Sequence, residues 1–453
     1  MEYLLILLVN LIWLPTLKFI AVTDDAMHIK TSPDTFGWPF RGRKGVVFAR
    51  MVNITIHVLI AEYIYMAFGN ILVALLFSVH PFGVQVAAWR SGRQYGINAL
   101  LFMMAVAFAP IGSLAYLACF NGAAPTILFT PLAFITTKYW WLAFMVIPIG
   151  IINYLNIRKG VVGKIKGSFF YAGIPDDSIL AKFNARKLII VVKTFGYYSL
   201  ACLLPIKNGF YNSFLANCGM SKQQTAYWFS LNRHFWGGLL AIGIVGTALV
   251  LNFHNIIGFG LMLFILSIAP FLNFITIQQY VAPRYAYLPL IGFQVALVGL
   301  LAKMGIFTQL VAIPALFAIY LDRLLRVMKH YEGKNKDLMY YDSDVFPDCL
   351  RLWYYKFHRW LELDNPIMAW AEAAWGLKYN PNDCQLYFGM AVASWNMGNR
   401  KGAEFFIGEA EKNMIDVGKK DMVNIIAEFK DRMKKGVPGV RPNPSMQDRQ
   451  RGF

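Results

Sequence analysis

Residues 70–109 read "NILVALLFSVHPFGVQVAAWRSGRQYGINALLFMMAVAFA". Two apolar runs flank a short segment that carries His80, Trp89, Arg90 and Arg93. Runs of this kind belong in a bilayer. A basic loop between two membrane segments is ordinarily the cytoplasmic end of a helical hairpin. On the opposite side of the membrane its positive charge needs a separate reason. The fold and the function both turn on which side this loop occupies.

The rest of the chain agrees with a membrane setting. Of its 453 residues 57% are hydrophobic, 16% aromatic and only 15% charged, whereas a soluble domain carries roughly a quarter charged residues. The long apolar runs lie within 1–322, and 323–435 is polar, Trp-rich and helical in pattern. The expected architecture is all-α: a polytopic helix bundle of about eleven spans followed by a C-terminal helical domain. The net charge of +18 fits cytoplasmic loops facing anionic lipid, and no nucleic-acid-binding motif accompanies it. Five cysteines without CxxC spacing offer neither a zinc site nor a complete disulfide framework. No metal is expected.

Spans are expected near 3–22, 49–68, 70–81, 96–119, 124–136, 138–156, 186–206, 235–252, 256–275, 285–302 and 305–322. Segments 70–81 and 124–136 are short for a full crossing. Met1–Val22 lacks a basic leader and a small-residue cleavage site, so it reads as a retained first span. Residues 157–187 hold seven basic residues against Asp176 and Asp177, which places that loop in the cytoplasm. Counting outward puts the N-terminus inside. Asp24, Asp25, the 80–93 loop, 207–234, 276–284 and the C-terminal domain then lie outside. The basic stretch "DRLLRVMKHYEGKNKD" at 322–337 pulls the other way.

From Phe346 onward the chain repeats. "DC" at 348–349 recurs at 383–384, and Trp360 recurs as Trp395, an offset of 35. Small residues (Gly389, Ala393, Ala403) lie on paired helices around a "MGN" turn. Helix–turn–helix units of about this length mark tetratricopeptide repeats. Residues 436–453 form a Pro-containing polar tail, expected to be disordered.

The outward-facing polar residues are few. Asp24 and Asp25 follow the first span directly; they read either as a solvated helix end or as a general base with a raised pKa. Arg90 and Arg93 share one side of a helical turn, and guanidinium forks suit phosphate. Arg284, Tyr285 and Tyr287 lie at the outer mouth of a span. Asn53 and His57, four apart on one helical face, either bond to a neighbouring helix or line a site with His80. Carboxylates and arginines beside a bilayer suggest group transfer from a lipid phosphate, since no P-loop or Rossmann fingerprint is present.

At these residues the chain resembles the membrane-embedded GT-C-fold glycosyltransferases, in particular the transmembrane and tetratricopeptide-repeat O-mannosyltransferases and their relatives. "VTDDAMHIKTSPD" is similar to the family's first outer loop, and "HPFGVQVAAWRSGRQY" to its His-Pro…Trp-x-Ser-Gly-Arg signature. "YYSLACLLPIKNGFY" resembles the Leu-Pro segment in the middle of those proteins. "PFLNFITIQQYVAPRYAYLPLIGF" resembles an Arg-Tyr-x-Tyr-Leu-Pro segment. The resemblance implies a polyprenyl-phosphate-sugar donor, commonly mannose, and no further cofactor. It also implies an acceptor hydroxyl on a protein or glycan, and repeats on the periplasmic or lumenal side of a bacterial inner membrane or the endoplasmic reticulum. Carried over by position, Asp24 or Asp25 would be the base, and Arg90, Arg93 and Arg284 would hold the donor phosphate. The acidic residue that usually precedes Arg-Tyr is Pro283 here, and the Lys-Glu pair expected after the fourth span is replaced by "CFNGAAP". The alternative is a non-catalytic membrane scaffold that recruits a partner through its repeats. A transporter would want more polar residues in mid-membrane than Lys193, Glu62 and His57.

Overall fold

The structure, a computed structural model, describes residues 1–19, 42–88, 92–109, 111–113, 129–156, 187–205, 230–273, 281–332, 350–379, 381–413 and 419–437. Among these residues the regular structure is helical and there is no strand. Helix α1 (Glu2–Asn10) passes into a 3-10 segment, Leu11–Lys18, that contains Pro15; without an N–H, Pro15 cannot continue an α-helical ladder. Helix α2 (Gly42–Phe68) is long, and α3 (Ile71–Val79) is short. Asn70 caps α3 by accepting the Leu72 N–H at 3.0 Å. At its other end His80, preceding Pro81, is extended, the conformation that a following proline imposes. Nine residues rise about 14 Å, so α3 cannot cross a bilayer alone. The chain turns at once into α4 (Gly83–Ala88) and then α5 (Arg93–Ala107).

Two 3-10 segments, Thr130–Thr136 and Trp140–Met145, lead into α6 (Val146–Asn156). Next come α7 (Lys187–Leu203), α8 (Arg233–Leu251) and α9 (Ile256–Ile268). A 3-10 turn, Pro283–Ala286, opens α10 (Tyr287–Lys303), and α11 spans Ile306–Glu332. Among the described residues, three stretches are long and apolar enough to cross a membrane: Val47–Phe68, Arg233–Leu251 and Pro283–Lys303. Leu240, Ile244 and Val250 of α8 are exposed, as side chains that face acyl chains would be.

The helices of this body approach closely where glycines meet. A Cβ on Gly292 would stand 2.5 Å from the Gly260 carbonyl oxygen, and one on Gly260 would stand 2.6 Å from that of Gly292. So α9 and α10 touch backbone to backbone, the contact that small residues permit between membrane helices. Gly196 of α7 and Gly238 of α8 form a second such contact. One continuous core runs from Ile6 to Met328. Helix α11 crosses residue 322 unbroken, and its Leu324, Val327 and Met328 belong to that core.

The C-terminal helices are α12 (Leu350–Glu362), α13 (Pro366–Tyr379), α14 (Cys384–Asn396), α15 (Arg400–Lys412) and α16 (Lys419–Lys434). They have cores of their own, built from residues such as Trp353, Phe357, Leu386, Ile407 and Phe429. The repeat is 34 residues, one fewer than the Trp360–Trp395 spacing. Asn365 and Asn399 cap α13 and α15, accepting from Met368 N–H and Gly402 N–H. The residues before them, Asp364 and Gly398, both have positive φ. The Asn365 N–H bonds to Trp360 O, and the Asn399 N–H bonds to Ser394 O. Trp360 is therefore equivalent to Ser394, and Trp395 to Leu361. Turn geometry sets the register, and the tryptophan match is a coincidence one residue out of phase.

Candidate functional site

Helix α2 carries Arg50, Asn53 and His57 at i, i+3 and i+7, one face of a helix. All three are buried, and each reaches a different part of the chain. The Arg50 Nε donates to Ala88 O at 2.8 Å, and its Nη1 donates to Phe19 O at 2.6 Å and Thr16 O at 3.3 Å. Asn53 Oδ1 accepts from Arg93 Nε at 3.1 Å. His57 Nδ1 lies 2.5 Å from the Tyr287 hydroxyl, and its ring stacks on Phe77. The 3-10 segment joins this face through Trp13, whose ring meets His57 edge-on at 4.9 Å while its Nε1 donates to Ser78 O of α3 at 3.0 Å.

Arg284 lies in a second cluster built from two distant parts of the chain. Gln85 of α4 accepts, through Oε1, both the Arg284 backbone N–H at 3.2 Å and its Nη1 at 3.4 Å. The guanidinium also donates to the Tyr285 hydroxyl and lies 4.7 Å from the centre of that ring. The Tyr95 ring is 6.0 Å away, and Tyr285 stacks on Phe271 at 4.3 Å. Arg284 thus sits among aromatic faces that attract a cation. Gly92 lets α4 and α5 close on each other here, since a Cβ at Gly92 would stand 2.2 Å from Gln85 O.

Of the residues singled out by sequence, Arg93, Asn53, His57, Tyr287, Arg284 and Tyr285 are all engaged in these two clusters. Asn53 and His57 do bond to side chains on neighbouring elements. His80 is buried but keeps other company, its ring edge-on to Phe82 and Tyr320. Asp24, Asp25 and Arg90 lie outside the described residues. Sequence reasoning passed over Arg50, Gln85 and Tyr95. Arg50 had a readable signal in its spacing of three and seven from Asn53 and His57. Gln85 had one too, as the only polar residue in "VQVAA". Amide oxygens, main-chain carbonyls and a tyrosine hydroxyl are among the groups that hold the guanidiniums of Arg50, Arg93 and Arg284.

Comparisons with protein-family models, with curated proteins and with solved structures found no match.

Proposed function

We propose that the chain is an integral-membrane glycosyltransferase of the GT-C type, with about eleven spans. It would move a sugar, mannose in the closest reading of the resemblance, from a polyprenyl-phosphate donor to an acceptor hydroxyl on the periplasmic or lumenal side. The observation that carries this reading is the Gln85–Arg284 contact, which joins segments 199 residues apart. Both segments carry the family likeness, the 80–95 stretch most specifically, and they meet around a buried arginine. The 34-residue period of the C-terminal helices matches that of tetratricopeptide repeats, and supports their part in holding a protein acceptor.

In the proposed reaction the carboxylate of Asp24 or Asp25 takes the acceptor's hydroxyl proton. The acceptor oxygen forms a bond to the sugar's anomeric carbon as the carbon–oxygen bond to phosphate breaks. The departing lipid phosphate keeps the electron pair, and Arg90, Arg93 and Arg284 stabilise its charge. No metal enters this scheme.

A second reading has an observation of its own. Arg93 and Arg284 are buried and bonded within the protein, as structural arginines of a non-catalytic scaffold would be. Donor binding separates the two readings. The full-length protein in nanodiscs is titrated with a polyprenyl-phosphate mannose, beside Arg93→Gln and Arg284→Gln. The enzyme reading expects each variant to lose about tenfold or more in affinity, the scale of one charge-assisted hydrogen bond. Unfolding of both variants, with donor affinity unchanged in the folded fraction, favours the scaffold.

A further inference from the structure

Arg50 is 1% exposed, and three main-chain carbonyls converge on it from two helix ends. Thr16 O and Phe19 O belong to the end of the Leu11–Lys18 segment, and Ala88 O to the last residue of α4. Thr16 O also accepts the Phe19 N–H at 3.1 Å, and carbonyls at helix C-termini carry the negative end of the helix dipole. A buried cation placed between two such ends is favoured by both. The guanidinium spans the two ends, its Nε donating to Ala88 O and its Nη1 to Phe19 O and Thr16 O.

The two ends are also where the proposed machinery begins. Phe19 precedes Asp24 by five residues, and Ala88 precedes Arg90 by two. One turn further along the same face of α2, Asn53 holds Arg93. We propose that Arg50 is a positioning residue: it fixes the departure point of the base-bearing segment relative to that of the phosphate-binding segment. The clamp rests on the geometry alone; its effect on transfer rests on the glycosyltransferase reading. A lysine keeps the charge but concentrates its donors on one nitrogen, so it cannot reproduce the fork. Misplacement of reacting groups by about 1 Å costs roughly 10²-fold in rate, while donor binding by remote contacts persists.

Spin labels at Lys18→Cys and Gln94→Cys report the clamp directly, in the full chain in nanodiscs with the native cysteines replaced by alanine. Both positions are exposed. The wild-type Arg50 background should give one narrow distance distribution, and Arg50→Lys should broaden or shift it. Sugar transfer by Arg50→Lys should show kcat lowered roughly 10- to 100-fold, with the donor KM within about twofold of wild type. Arg50→Gln, run in parallel, should do the same. An unchanged distance distribution in either folded variant overturns the clamp. A loss confined to KM overturns the positioning role. If neither variant accumulates while Arg93→Lys does, Arg50 is a folding residue and the proposal fails. If the distances broaden but the wild type transfers no sugar, the clamp stands and the glycosyltransferase reading falls.

Discussion

Asp383 caps α14, accepting the Leu386 N–H at 2.9 Å, and the Tyr354 hydroxyl donates to it at 2.6 Å. Burial pushes its carboxyl up to about 6, with the hydrogen bonds from Tyr354 and the backbone N–H groups opposing the shift. Burial pushes the His358 imidazole down to about 4. The two shifts oppose each other in stability. Between about pH 4 and 6 folded Asp383 holds a proton that the unfolded chain releases, so its contribution falls as pH rises. Between about pH 4 and 6.5 the unfolded chain protonates His358 and the folded chain does not, so that contribution grows as pH rises. In the wild type the two slopes offset. We predict that Asp383→Asn, which can still cap the helix, makes the repeats more stable toward neutral pH, and that His358→Phe makes them less so. Hydrogen exchange at α14 in the full chain, corrected for intrinsic pH dependence, measures both; slopes of the same sign would contradict the account. In the membrane body single residues were legible where a polar side chain interrupts an apolar run, as Asn53, His57, Arg93 and Arg284 do. Their partners were not, because His57–Tyr287 and Gln85–Arg284 join residues 230 and 199 apart, and no local pattern records such a pairing.

Elements follow from the sequence where length and caps agree. Helices α2, α8 and α10 announce themselves by long apolar runs, and Asn70, Asn232 and Asn255 cap the helices they precede. The broken pieces are less legible, since an apolar run does not say whether Pro15 ends an α-helix or converts it to a 3-10 turn. The repeat period was legible to within one residue, and only the paired turns fix it. Asp364 holds φ +55° where Gly398 holds φ +77°, a conformation that costs a residue with a Cβ. Asp364→Gly should therefore stabilise the repeats by about 0.5–1 kcal/mol, read from the same exchange experiment; a loss of stability would mean that the Asp364 side chain contributes more than its backbone costs. At Gly260 and Gly292 the seam between α9 and α10 leaves no room for a Cβ. Gly292→Ala should destabilise it by about 1–3 kcal/mol, the usual cost of overpacking, measured as a lower unfolding temperature in detergent. An unchanged midpoint would show that the two helices can part without penalty.

At the scale of the whole molecule the sequence suggests an apolar helical body followed by a helical C-terminal unit; the described residues form one core from Ile6 to Met328 and smaller cores among α12–α16. Sidedness rests on loop charge. A reporter that is active only in the cytoplasm, fused after Asp337, should stay silent; a signal there would put the repeats in the cytoplasm and require the spans, and with them the outer site, to be recounted. The central claim is that this body transfers sugar, and the most direct test is transfer from a polyprenyl-phosphate mannose by the purified full-length chain in proteoliposomes. Asp24→Asn and Asp25→Asn are assayed beside it. If the segment is extended, adjacent side chains point opposite ways, so one carboxylate faces the acceptor. The account predicts that the wild type transfers sugar and that one of the two variants loses ~10²-fold or more, with donor binding kept. Transfer lowered slightly and equally by both substitutions, or no transfer by the wild type to any protein or glycan acceptor, would contradict it.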